Sequence, residues 1–493
     1  MRVGIIGSGL GGLSAAINLA KNGYDVKVFE KNESPGGKAS EIRLGDYRFD
    51  IGPTLITMPF VIKELLKDSP EKLEIQELDN ICRYFWEDST VIDAFSNSQK
   101  FASELEKIDS DDAKNYSAFL EYCEEMYELT KKTFLFEPFG EASYLLNMET
   151  LKKVPKLRKL DSFRTVDSGV RKFFKNEKII QLFGRYATYN GSSPYKAPAT
   201  LNIIPWVEFG LGGNYIKGGI YQLSKVLYNY SKNLGVDFRF NSKVEKINVE
   251  NKVAKGIEYS SNGSELIYEE FDFVLANSDV AETYNYLIDG FEEKKKKLNR
   301  LEPSSSGFII LWGINKKNEP LEHHNVLFSN NYKEEFEYLF DKKEIYSDPT
   351  IYISISSRKD KDHAPSNSEN WFVLINSPSL NNIYWEEEKP RVRKVIIEKL
   401  KKNGLDIENH IEEEMIISPD DLYRRYLSNK GSIYGFSSND RNSAFLRPRN
   451  RNREIKNLFF AGGSSHPGGG VPLVILSGKH AAELIIRQSK EQK

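Results

Sequence analysis

The chain has 493 residues, 39% hydrophobic and 28% charged, which suits a globular protein of about three domain-sized units or one interleaved fold and excludes a disordered chain. A net charge of −2 offers no basic face for nucleic acid, and two cysteines, Cys82 and Cys123, form neither a disulfide framework nor a metal-ligand spacing, which points to a reducing compartment. Met1 leads straight into an apolar strand and no run of about 18 apolar residues occurs, so neither a signal peptide nor a spanning helix is expected, and any membrane contact is made from one side.

Val3 to Ile6 is a short apolar run, as a buried parallel strand requires. Gly7, Gly9 and Gly12 follow in the pattern G-x-G-x-x-G. Leu13, Ala16, Ile17 and Ala20 then recur at helical spacing, Gly23 stops the helix, and Asp25–Phe29 forms a second strand with Glu30 at its end. In such a unit one glycine makes the tight turn, one lets backbone approach a pyrophosphate, and one lets helix and strand pack closely. The helix N-terminus faces the anion, and an acid at the end of the second strand binds a ribose hydroxyl. Gly7, Ser8, Gly9, Gly11, Gly12, Glu30 and Lys31 are therefore candidate dinucleotide contacts. Gly36-Gly37-Lys38 and Gly52-Pro53-Thr54 add two tight turns that simple NAD binding does not need. Asp50, beside the second turn, reads as a turn stabiliser rather than a base.

Residues 60–130 read as charged and helical. In 131–160, Phe134, Phe136, Phe139 and Tyr144-Leu145-Leu146 stand among basic residues, a composition that fits an interfacial membrane helix or an ordinary amphipathic helix packed on its own protein. Arg185 to Tyr195 is dense in aromatics and hydroxyls, and Pro194, Pro198 and Pro205 prevent a long helix, so this stretch lines a pocket or crosses between domains. A helix follows Gly218-Gly219, and strands are expected at Val236–Phe240, Val244–Val249, Lys255–Tyr259 and Phe271–Ala276, the last ending at Asn277-Ser278-Asp279. Residues 283–300 read as a solvated helical connector, and 308–314, 350–355 and 371–375 as strands of a second, mostly antiparallel sheet. Leu458–Ala461 reads as a strand, and Gly462-Gly463-Ser464-Ser465-His466-Pro467-Gly468-Gly469-Gly470 lead into a helix that opens with Val471-Pro472. Glycine loops at both ends of the chain suggest one long dinucleotide gripped from both termini, and so a flavoprotein.

The N-terminal three-part run resembles the signature of the FAD family that includes amine oxidases, protoporphyrinogen oxidases and carotenoid desaturases. The basic residue after Gly-Gly is commonly Arg there and is Lys38 here, which keeps the charge and loses the fork. The C-terminal run, with Tyr189 to Tyr195, Gly218-Gly219, His323-His324-Asn325, Ala364-Pro365 and Gly431 to Gly435 in the same order, resembles the bacterial phytoene-desaturase type of carotenoid desaturase. The Tyr189–Tyr195 run, its continuation through Asn202, and the bulky Leu473 after Val471-Pro472 look most like the hydroxycarotenoid 3,4-desaturases.

The resemblance implies an α/β fold in which a Rossmann-like FAD-binding domain (glutathione-reductase type, residues 1–75, 212–285 and 425–493) is interleaved with a substrate domain (76–211 and 286–424) that contains helices and a mostly antiparallel sheet. It implies non-covalent FAD, with Val244 and Asn277 on the nucleotide side and Gly462, Gly463, Gly470, Val471 and Pro472 on the flavin side. It implies a lipophilic carotenoid drawn from a membrane surface by a cytoplasmic, peripherally bound enzyme, with 131–160 as the contact region and oxygen or a quinone as the terminal acceptor. His466, in the flavin loop, is the candidate catalytic residue or a loop-shaping one. Tyr189, Asn190 and His324 are candidate substrate contacts or structural residues, and no metal site is expected. Alternatives are phytoene or other carotenoid desaturation, carotenoid cis–trans isomerisation, and a non-catalytic lipid-escort role; amine or porphyrinogen oxidation is disfavoured by the His-Pro-Gly motif.

Overall fold

The computed structural model describes residues 1–139, 160–263, 265–440 and 447–492. Five parallel strands form its first sheet, in the order Leu458–Phe460, Phe273–Ala276, Arg2–Ile6, Asp25–Phe29 and Asp237–Arg239. The first strand of the chain is thus central, with Ile6 opposite both Phe29 and Ala276. Its apolar run is buried on both faces, as a parallel strand demands. Because all five strands run the same way, the loops after Ile6, Phe29, Ala276 and Phe460 emerge at one edge.

Two helices cover one face of this sheet, Leu10–Lys21 and Val471–Glu491. They touch backbone to backbone: a Cβ on Gly478 would stand 2.1 Å from the Gly11 carbonyl oxygen and 2.9 Å from the Ala15 nitrogen. The Ser14 hydroxyl donates to the Ile475 carbonyl at 2.7 Å and locks the crossing.

The second sheet has seven strands, ordered Ile411–Ile417, Ser306–Ile314, Glu369–Ser377, Ile351–Ile355, His324–Leu327, Asn80–Phe85 and Val91–Phe95. All pairs are antiparallel except His324–Leu327 with Asn80–Phe85. Alternation divides Ser306–Ile314 between two cores. Phe308, Ile310 and Trp312 pack toward the helix Trp385–Lys402, and Ile309 and Leu311 pack with Tyr47, Phe49 and Ile51. A three-stranded antiparallel sheet, Ser242–Glu250, Val253–Ser261 and Ile267–Glu270, packs beside the parallel one.

Two expectations need correction. Residues 60–130 are not uniformly helical, because Asn80–Phe85 and Val91–Phe95 form a hairpin. The charges there pair across strands, Arg83 with Asp93 at 2.8 Å, rather than along a helix face. The connector 283–300 is broken at Gly290 and Phe291, which both take positive φ, and its helix proper is Glu292–Arg300. In the segment 131–160, Lys131–Leu135 continues the helix Tyr116–Thr130 as a π-turn, and Phe136 packs on Phe60. The Tyr144-Leu145-Leu146 and Lys152–Lys159 portions of the stretch that carries the membrane expectation lie outside the described residues.

The crossing at Gly478 yields a direct expectation. Gly478→Val should cost about 3 kcal/mol by overpacking, read as a lower urea midpoint, while Val at the neighbouring half-exposed Lys479 should cost about 0.5 kcal/mol.

Candidate active site

One cavity of about 940 Å³ begins at the loop edge of the parallel sheet and continues under the second sheet. Its first half is made by the glycine loops. Gly7 takes φ +93 and donates its N–H to the Phe29 carbonyl at 2.8 Å, which turns the chain away from the strand. A Cβ on Gly12 would lie 2.1 Å from the Gly7 carbonyl oxygen, so only glycine lets this helix sit on its strand. Neither helix start carries a side-chain cap: Gly9 precedes Leu10–Lys21, and Gly470 precedes Val471–Glu491. Gly9, Gly11, Gly470 and Val471 all line the cavity. Two uncapped helix N-termini, each with orphan N–H groups and a positive dipole end, therefore open on one space.

Glu30 is 6% exposed and held by four hydrogen bonds. One oxygen accepts from the Ser8 N–H and hydroxyl, both at 2.9 Å, and the other from the Asn32 backbone at 3.0 Å and side chain at 2.9 Å. Ser8 is fully buried and does not line the cavity, so it acts by fixing Glu30. Gly12 likewise stands behind the wall.

Lys31 and Lys38 line the cavity, yet their ammonium groups are committed to backbone. Lys31 donates to the Arg424 carbonyl at 2.8 Å, and burial lowers its pKa against the pull of Glu30. Lys38 donates to the Ser432 and Ile433 carbonyls, both at 3.0 Å, and burial pushes it down to about 8, with Asp279 opposing. Burial, then Asp279, pushes the neighbouring Glu282 carboxyl up to about 7. Gly37, Gly52, Pro53, Thr54, Val244, Asn277, Gly462, Gly463 and Pro472, all candidate cofactor contacts, also line the cavity.

The second half is largely apolar. Ile203, Val207, Ile309, Val326, Phe372 and Leu374 face it, together with Tyr189, Tyr332, Tyr352 and His324. His324 donates its Nδ1–H to the Ile81 carbonyl at 3.0 Å. Burial pushes its pKa down to about 4, so the ring is neutral at physiological pH. Tyr189 donates to Glu208, and burial followed by that carboxylate holds its phenol protonated. Arg185 and Glu208 were missed as site residues. Arg185 stood at the head of a stretch already singled out, but nothing local marks Glu208, which arrives in a π-turn after Pro205.

His466 and Asn190 stand elsewhere than expected. His466 is buried, lies outside the cavity lining, and packs between Phe139 (5.5 Å) and His480 (5.9 Å). Burial, then His480, drives its pKa down to about 3, so it is a neutral ring that shapes the loop from behind. The Asn190 side chain donates to Ser438 and accepts from Arg447 at 3.5 Å, which ties two loops outside the cavity.

These residues fit FAD. The helix termini and bare glycine backbone suit a pyrophosphate, the fixed Glu30 suits a ribose, and the cavity extends far beyond a mononucleotide. Residues 10–486 match the family model for flavin containing amine oxidoreductase. The chain is 42% identical over 486 residues to a 1-hydroxycarotenoid 3,4-desaturase of Flavobacterium sp. (strain P99-3), covering 98% of each chain. It is 33% identical over 493 residues to a 4,4'-diapolycopene oxygenase of Methylomonas sp., again covering 98% of each. Among solved structures, an oxidoreductase from Methanosarcina mazei superposes with a TM-score of 0.65 at 15% identity, covering 98% of this chain and 100% of that one. The chain belongs to the flavin-containing amine oxidoreductase family and is an FAD-dependent enzyme.

Proposed function

We propose that the protein is a carotenoid desaturase that inserts a carbon–carbon double bond into a hydroxylated acyclic or monocyclic carotenoid, in the manner of a 3,4-desaturation. The observation that carries this reading is the continuity of the dinucleotide cradle with an apolar chamber in one cavity. The similarity to a 1-hydroxycarotenoid 3,4-desaturase supports the substrate class.

Desaturation takes two hydrogens from adjacent carbons, one with the bonding electrons and one as a proton. FAD bound in the cradle supplies the two-electron acceptor. The chain's own residues hold the polyene and exclude water: aliphatic walls and protonated phenols surround it, and neutral His324 offers a polar edge without a charge. A cation developing beside the polyene is delocalised over it, which lowers the demand for a strong base.

The parallel-sheet strands all fall within 1–75, 212–285 and 425–493, which we read as the FAD unit, and the seven-stranded sheet falls within 76–211 and 286–424, read as the substrate unit. No helix among the described residues is long and apolar enough to cross a membrane. We read the enzyme as cytoplasmic and docked on one membrane face, passing electrons to oxygen or a quinone. Leu135 lines the cavity, and its neighbour Phe136 packs on Phe60, which is 43% exposed, so we read this side as the polyene's way in.

Incubated with a 1-hydroxy acyclic carotenoid, the holoenzyme should shift its absorption maximum to the red and remove two hydrogens per new bond. An unchanged chromophore length would support isomerisation instead. Glu30→Gln should weaken FAD binding by roughly 10- to 100-fold in titration of the apoprotein, because it removes the carboxylate proposed to meet the ribose and loosens the bonds to Ser8 and Asn32 that fix it. Gly11→Val, whose Cβ would stand 2.5 Å from Asn277 Oδ1, should abolish it. Unaltered FAD affinity in both variants would contradict the cradle assignment.

A further inference from the structure

Inside the apolar chamber two buried opposite charges face each other without joining. Arg185 is 8% exposed and Glu208 fully buried, and both line the cavity. Their nearest approach, Arg185 Nη2 to Glu208 Oε1, is 3.6 Å, beyond hydrogen-bonding range. Each is tethered by phenols instead. Tyr186 donates to Glu208 Oε1 at 2.7 Å and Tyr189 donates to Oε2. Arg185 donates through Nε at 2.9 Å and through Nη2 to the Tyr84 hydroxyl. The rings of Tyr84, Tyr186 and Tyr189 stand 5.1, 4.6 and 5.4 Å from the guanidinium carbon.

A guanidinium has five N–H groups, and a carboxylate accepts about four hydrogen bonds. Among the described residues the protein uses two of the former and two of the latter. A pair kept only for folding would close into a direct fork, because an underbonded charge in an apolar interior is costly. Here the phenols hold the pair apart, with the remaining donors and acceptors side by side. The group that satisfies both at once is a hydroxyl, which accepts one hydrogen bond and donates another.

The position suits such an anchor. Arg185 opens the 3₁₀ turn Arg185–Asn190, about 10 Å long. Its far end is bonded to Ser438 and abuts Tyr434, which in turn backs Gly469 of the C-terminal glycine loop. In a 1-hydroxy substrate that reacts at its 3,4 bond, one carbon separates the hydroxyl-bearing carbon from the reacting bond. The hydroxyl site must then border the flavin side of the chamber rather than its remote end.

We propose that Arg185 and Glu208 bind the substrate hydroxyl, the guanidinium donating to its oxygen and the carboxylate accepting its proton in a hydrogen bond, and that this anchor sets which carbon–carbon bond meets the flavin. Tyr189 and Tyr186 position the carboxylate. The proposal rests on the desaturase reading above.

The test uses FAD-loaded protein and two acyclic carotenoids of equal polyene length, one with a terminal hydroxyl and one without. Binding is read by quenching of protein fluorescence, and turnover by the polyene absorption. The wild type should bind the hydroxylated carotenoid at least about tenfold more tightly. Arg185→Met and Glu208→Gln should remove that preference, weakening the hydroxylated ligand about tenfold and the other by less than about twofold. Tyr189→Phe, which removes one oxygen, should reduce the preference partway, and it decides the matter if the charge variants fail to retain FAD. Equal wild-type binding of both carotenoids, or variants that weaken both in proportion, overturns the hydroxyl site. Discriminating binding with no dehydrogenation of either carotenoid upholds the site and overturns the desaturase reading; equal dehydrogenation of both does the reverse.

Discussion

Asn277 is the spacer on which the site depends. Its backbone N–H donates to the Ile6 carbonyl at 2.9 Å, as the next rung of the parallel ladder. Its side chain donates to the Gly7 carbonyl at 3.2 Å. The opposite oxygen stands 2.5 Å from where a Cβ of Gly11 would be and 3.0 Å from where one of Gly462 would be. One amide thus fills the seam between the first and last loops of the chain, and glycine on both sides is its steric consequence. Behind it, the Ser477 hydroxyl accepts the Gly462 N–H at 3.1 Å, and Asn450 bonds the Phe460 and His466 carbonyls. Segments remote in sequence become one binding edge because the strand order leaves them no other neighbours, and closing so long a loop costs little more than closing a shorter one.

The same seam explains how the site treats charge. The cradle relies on helix ends and backbone amides, while Lys31 and Lys38 spend their charge on carbonyls of the 424–433 loop. Those lysines tie the 424–433 loop to the turns that follow the second parallel strand. Among the described residues the apolar chamber contains one opposed pair, Arg185 and Glu208, held apart by three tyrosines. Neutral His324 and protonated phenols make up much of its other polarity. A chamber of this kind tolerates a long hydrocarbon and recognises a single polar mark on it.

What could be read from residues alone was whatever is locally determined. The strand–glycine–helix–strand–acid unit is dictated within one short stretch, and Gly7 and Gly12 make the turn and the close helix packing their spacing implies. The hairpin Asn80–Phe95 was hidden because its charges look helical until their cross-strand partners are known. His466 is a histidine in the right loop, but the direction of its ring is set by Phe139 and His480, packed from distant segments. Glu208 was invisible for the same reason: its meaning comes from Arg185, Tyr186 and Tyr189, which the fold alone brings to it.

The central claim is that cofactor and polyene share one cavity, so electrons pass between them directly. Anaerobic single-turnover absorbance spectroscopy of the oxidised holoenzyme mixed with hydroxylated carotenoid tests it. Bleaching of the flavin in step with growth of the longer polyene band, one flavin reduced per double bond formed, is the predicted result. A lengthened polyene with the flavin still oxidised, or a reduced flavin with the polyene unchanged, would contradict it.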